Sequence, residues 1–164
     1  MDNHNVPRKL VNPFIKNEGY NCFGCSPKNP LGLKLTFVED GEEIVSFWEP
    51  GIDYQGFFNI LHGGIQATLM DEIASWTVYI KAKTAGFTSK AEFRYLKNIG
   101  LGDGPLELRS RLKGMRRNLA DIEVSIYNRN HQLCATGSLT FFTFSKEKSR
   151  EKLYYPDEEA FYQD

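Results

Sequence analysis

One stretch of this chain can form a long helix, and that helix has no side meant for water. Between residues 63 and 83, Ile65, Leu69, Met70, Ile73, Trp76, Val78, Tyr79 and Ile80 project in nearly every direction at a 3.6-residue period. Such a helix must be covered on most faces. At 1.5 Å per residue it spans about 30 Å. Thr84-Ala85-Gly86 ends it. The fold therefore needs a wrapper of that length around one apolar rod.

The remaining pattern supplies the wrapper. Residues 33–38 alternate apolar and polar, Asp40-Gly41 signals a hairpin, and residues 43–48 form the return strand. Residues 50–59 form a loop. Four strand-like runs follow the helix, over 87–96, 106–114, 120–128 and 133–144, separated by short, turn-rich links. The glycine-rich link at 100–105 precedes a strand, so it is not a phosphate-binding loop. The order ββαββββ predicts an α+β fold, a curved antiparallel sheet wrapped around one central helix. Residues 1–30 are polar and proline-bearing and read as an extended arm before a domain over 31–145. Residues 146–164 read as a charged tail whose Tyr154, Tyr155, Phe161 and Tyr162 dock on their own domain or on a partner subunit.

Bulk properties exclude several roles. A net charge of −1 on 164 residues leaves no electrostatic footprint for nucleic acid or for an anionic membrane surface. No stretch approaches ~18 consecutive apolar residues, so no membrane-spanning helix is expected. Residues 1–16 lack an apolar signal region, and a cytoplasmic protein is the expectation. Three cysteines make no disulfide framework. Cys22-Phe23-Gly24-Cys25 has C-x-x-C spacing, but no second pair or histidine pair stands at zinc-site spacing, the only histidines being His4, His62 and His131. Pro27, Asn29, Pro30 and Gly32 follow at once, which is not the strand–helix setting of a redox motif. The sequence reading is two thiols in a tight turn, with no metal and no cofactor.

The chemistry concentrates at the start of the helix. Gly63 and Gly64 lie where it begins, and free backbone N–H groups there attract an oxyanion. Asp71 and Glu72 interrupt its apolar run, and a carboxylate in such a place is expensive unless paired, hydrogen-bonded or used. The two acids lie about 100° apart around the helix and must face different surroundings. Pattern alone does not say which one belongs to a site.

His62-Gly63-Gly64 opening a helix, Leu69-x-Asp71 inside it, Gln55-Gly56 before it, and Thr88 and Tyr95 on the next strand together resemble the hotdog-fold acyl-CoA thioesterases. The similarity is to the PaaI-like branch, including thioesterase superfamily members 4 and 5, over roughly residues 22–144. The resemblance implies hydrolysis of an acyl-CoA to free acid and coenzyme A, without a cofactor. It implies that His62 and the N–H of Gly63 or Gly64 bind the thioester carbonyl. It selects Asp71 as general base or nucleophile and gives Thr88 the task of orienting the carboxylate or a water. The branch's asparagine six positions before the histidine is Gly56 here, with Gln55 and Asn59 as available replacements. Coenzyme A phosphates need cations and donors. Arg116, Arg117 and Asn118 supply them first, Lys97 and Asn98 second. Phe57 and Phe58 can shape an aryl or a fatty-acyl pocket.

Gly63 and Asp71 are eight residues apart, about 12 Å along one helix, too far to serve one carbonyl carbon. Two antiparallel helices from two copies remove the conflict, so the resemblance carries a homodimer with shared sites, able to pair further into a homotetramer. The alternatives on the same fold are a non-catalytic acyl-CoA-binding module and a hydratase or dehydratase of acyl thioesters.

Overall fold

The computed structural model describes residues 6–162. Its axis is helix α1, Gly63–Thr77, extended by one wider turn over Val78–Ala82 and stopped by Lys83 in the left-handed region at φ 57°. Leu69, Met70, Ile73, Ala74 and Trp76 on it are buried, as an all-round apolar helix requires.

Around it runs an antiparallel sheet of seven strands: β1 (Arg8–Lys9), β2 (Val38–Asp40), β3 (Glu43–Trp48), β4 (Gly86–Tyr95), β5 (Leu106–Arg116), β6 (Leu119–Tyr127) and β7 (Leu133–Thr143). The spatial order is β1-β2-β3-β5-β6-β7-β4. In β6, Ile122, Val124 and Ile126 are buried while the residues between them are half-exposed, the period of a strand with one face on a core. Together with the helix this is the hotdog arrangement, and the four strands after α1 lie where alternation predicts them.

The first predicted strand is shorter than the pattern suggests. Leu33, Leu35 and Phe37 are buried alternately, but ladder pairing begins only at Val38. The preceding residues bond to the arm instead, Leu33 N–H to the Phe23 carbonyl at 2.8 Å and Leu35 N–H to the Gly24 carbonyl at 2.9 Å. Alternation records burial and cannot identify the partner.

Arm and tail share the core of the central residues. Phe14 of the arm and Phe161 of the tail pack with Trp76 and Tyr79 at ring separations of 5.4 to 6.0 Å. Helix α2 (Lys146–Leu153) is capped by Ser145 and followed by the buried Tyr155, whose hydroxyl donates to the Tyr79 carbonyl at 2.9 Å. That carbonyl lies in the wide last turn of the long helix, where intrahelical pairing is poorer. Residues 1–5 of the arm, with His4, and residues 163–164 of the tail lie outside the described residues.

Candidate active site

Two halves of a site lie along α1, one at its start and one near its middle. His62 has extended backbone geometry and caps the helix, its Nδ1 accepting from the Gly64 N–H at 2.8 Å. With Nδ1 accepting, the ring proton belongs on Nε2, which is left as a donor. The cap also decides between the two glycines. The Gly64 N–H is taken by the ring, and a Cβ there would lie 3.0 Å from Nδ1. The Gly63 N–H has no acceptor among the described residues and remains available to a ligand. A Cβ at Gly63 would meet only the Tyr95 ring at ordinary contact, 3.7 Å.

Tyr95, at the end of β4, donates its hydroxyl to the Gly63 carbonyl at 2.9 Å and so fixes the strand end against the helix start. A cleft of about 510 Å³ opens here, lined by Gln55, Gly56, His62, Gly63, Gln66, Tyr95, Lys97 and Asn98 among others. Gln66 is a site residue that the sequence reading missed. Its side chain is buried, and its Oε1 has no partner among the described residues. A glutamine on the first turn of an otherwise apolar helix was the available signal. Asn59 stands beside the cleft, with φ 59° and its N–H donating to Gln55 Oε1 at 3.1 Å. The chain at Gly56 runs close to His62, and a Cβ there would press to 3.2 Å from the His62 Cα.

The second half lies further along the helix. Asp71 is half-buried, and Thr88 Oγ1 donates to its Oδ1 at 2.6 Å. A bulge between Thr88 and Lys90 in the β4–β7 ladder sets the direction of that threonine. The β5–β6 turn with Arg116, Arg117 and Asn118 lies at this end of β4. Leu119 pairs Phe142, which in turn pairs Phe87. Arg116 there grips Asp121 through two bonds of 2.7 and 2.9 Å, holding that carboxyl down at about 2. Arg117 occupies the left-handed region at φ 58°, and the Asn118 carbonyl accepts from Thr143. Lys97, at the opposite end, donates to Gln132 at 2.6 Å.

Glu72 turns the other way, toward the arm. Its carboxylate accepts from Cys22 Sγ at 3.6 and 3.7 Å. Desolvation, helped by the charge on Cys22, pushes Glu72 up to about 8. The two thiols divide one charge. The neighbouring Cys25 thiol is the main cause that lowers Cys22, to about 5, and the same interaction with burial drives Cys25 up. Pattern alone leaves the adjacent acids Asp71 and Glu72 alike, and their neighbours distinguish them, Thr88 beside the first and Cys22 beside the second.

Residues 58–135 match the family profile described as the Thioesterase superfamily. The match covers a little under half of the chain, and the chain has the hotdog fold that goes with this superfamily. A protein of Saccharolobus solfataricus that carries an esterase name is 27% identical over 127 residues, covering 76% of this chain and 82% of that one. A Streptococcus mutans protein crystallised with bound acetyl-CoA superposes with a TM-score of 0.63 at 25% identity, over 68% of this chain and 90% of that one. A thioesterase superfamily protein designated RHA08564 superposes with a TM-score of 0.68 at 22% identity over 74% of this chain. The chain spans only 59% of that longer molecule. No helix among the described residues is long and apolar enough to cross a membrane.

Proposed function

We propose that this protein is an acyl-CoA thioesterase of the PaaI-like branch, acting as a homodimer with two shared active sites. The observation that carries this reading is the pairing of each half-site with one end of β4. Thr88 near its start holds Asp71, and Tyr95 at its end holds Gly63. β4 is a sheet edge whose residues 87–92 are all exposed, a row of backbone groups open to another strand. Antiparallel pairing of two copies of β4 sets Thr88 of one chain opposite the Tyr95 end of the other. The partner subunit's Asp71 then reaches the carbonyl bound at Gly63, which one helix alone cannot arrange. The partner subunit's Arg117 comes to the same end as Lys97 and Asn98, and these form the phosphate-binding side.

In this site the thioester carbonyl oxygen accepts from the Gly63 N–H and His62 Nε2–H, the donors aimed at the developing oxyanion. Asp71, with Oδ1 held by Thr88, takes a proton from water through its other oxygen as the water attacks the acyl carbon. The tetrahedral intermediate collapses with cleavage of the C–S bond, and the proton passes to the departing thiolate. A direct attack by Asp71, giving an anhydride that water then opens, uses the same contacts. The acetyl-CoA complex of the S. mutans protein supports a coenzyme A thioester as the substrate class.

The test is thiol release from a panel of acyl-CoA esters, with molar mass measured by light scattering. The expected result is turnover by a dimer and its loss in Asp71→Asn with the fold retained. An active monomer removes the shared site. Binding without turnover on any ester leaves a non-catalytic module. Water addition across an acyl double bond without thiol release makes it a hydratase. Unchanged turnover in Asp71→Asn dismisses that residue.

A further inference from the structure

Outside the site, one cluster of metal-ligating side chains is unused by the mechanism. Cys22 Sγ, Cys25 Sγ and a Glu72 carboxylate oxygen all lie within 4.8 Å of one another. Cys22 and Cys25 belong to a turn of the arm, and Glu72 comes from the middle of α1. We propose that these three residues bind a zinc ion, which clamps the arm onto the central helix.

The geometry suits the ion. Zinc bonds of about 2.3 Å to sulfur and 2.0 Å to oxygen, in a tetrahedron, need sulfur–oxygen edges of about 3.5 Å and a sulfur–sulfur edge of about 3.8 Å. The Cys22 sulfur stands 3.6 and 3.7 Å from the two oxygens of Glu72. The ligand set of two thiolates and one carboxylate is one that zinc accepts.

The surroundings of the ligands point the same way. A metal-bound thiolate accepts hydrogen bonds from a second layer of residues. Cys25 Sγ has the Tyr20 hydroxyl at 2.9 Å and Asn12 Nδ2 at 3.6 Å, the latter also bonding the Cys25 carbonyl at 3.2 Å. The turn is preformed. Ser26 N–H bonds the Cys22 carbonyl at 3.1 Å, and the Phe23 and Gly24 carbonyls are tied to Leu33 and Leu35. It sits so close to the acid that a Cβ at Gly24 would fall 2.4 Å from the Glu72 carboxyl carbon. Among the described residues no lysine or arginine pairs with Glu72. Three groups that can each become anionic thus converge with no protein cation between them, and a divalent ion supplies the missing charge. All three ligands line a cleft of about 740 Å³ beside Tyr20, Tyr79 and Lys16, from which solvent can supply a fourth ligand.

The sequence reading set a metal aside because no second ligand pair stood at regular spacing. The third ligand lies 50 residues from Cys22, and only the docking of the arm unites them. The site is independent of thioester hydrolysis and is tested on the full chain without a histidine tag. Metal analysis of the purified protein is expected to give one zinc per chain. Chelator-stripped, reduced protein is expected to take up Co²⁺ with a thiolate-to-cobalt charge-transfer band and tetrahedral d–d bands. Cys22→Ser and Cys25→Ser should lose the charge-transfer intensity and the zinc, while Cys134→Ala keeps both. Glu72→Gln should weaken zinc binding, and Tyr20→Phe should lower affinity by about 10- to 100-fold. Chelation should lower the Tm of wild type and leave that of folded Cys25→Ser unchanged. Reduced wild type that neither retains zinc nor develops the cobalt band overturns the proposal. So does zinc held undiminished by folded Cys22→Ser and Cys25→Ser variants.

Discussion

Replacing Thr88 by valine isolates one contact of the proposed site. The two side chains are nearly isosteric and both β-branched, so β4 keeps its strand preference. Thr88 is exposed at the sheet edge, and the change leaves no buried polar group behind. What disappears is the 2.6 Å hydrogen bond to Asp71 Oδ1. Bonds to a charged group contribute about 1.5–3 kcal/mol. With about 1.4 kcal/mol per tenfold in rate, kcat/KM for an acyl-CoA ester should fall by about 10- to 100-fold, the lower figure suiting an exposed pair. Asp71→Asn removes the proposed catalytic carboxylate and should cost about 10²- to 10⁴-fold. The decisive measurement is the double-mutant cycle. If Thr88 acts only through Asp71, Thr88→Val should have almost no further effect in the Asp71→Asn background. Steady-state thiol release gives all four rates, with circular dichroism to verify folding. Full activity in Thr88→Val, or an equal loss in both backgrounds, refutes the assignment of Thr88 to the carboxylate.

Other expectations follow from the same geometry. Gly63→Ala should fold normally, since its Cβ meets only the Tyr95 ring at 3.7 Å, yet should lose turnover by crowding the carbonyl site; a fully active, folded variant would contradict this. Gly64→Ala brings a Cβ to 3.0 Å from His62 Nδ1. If the ring is pushed off its cap, the loss of about 1 kcal/mol offsets the helix preference of alanine over glycine. Urea denaturation should then show no net gain; a gain of about 1 kcal/mol would mean that the cap survives. In Arg116→Ala, Asp121 should return from about 2 toward the ordinary carboxylate range, followed by NMR titration of its side-chain carbonyl carbon; an unmoved titration would deny the ion pair its role. Phe161 is fully buried, so Phe161→Ala should destabilise the whole domain by about 3–5 kcal/mol. A change under 1 kcal/mol in urea would mean that the tail does not share the core.

The sequence made some residues legible and left others closed. The strands after the helix were readable because Ile122, Val124 and Ile126 repeat at the period of the strand itself. The helix was readable because its apolar residues are local in sequence. Local signals fail where a partner is remote. Leu33, Leu35 and Phe37 alternate like a sheet strand, yet the chain at Leu33 and Leu35 bonds to the arm at Phe23 and Gly24. Gln66 passed unnoticed because one polar residue on a helix start carries no spacing to read.

The sequence alone determined an apolar rod that required a wrapper, the strands to build it, and a glycine-opened helix bearing two adjacent acids. Only the tertiary structure decided what each acid meets. Neighbouring helix residues diverge by about 100°, so Asp71 and Glu72 were bound to meet different walls. Which wall each meets depends on two distant segments, β4 carrying Thr88 to one acid and the arm carrying Cys22 and Cys25 to the other. The helix period fixes the angle between the two side chains, and long-range packing alone fixes their partners.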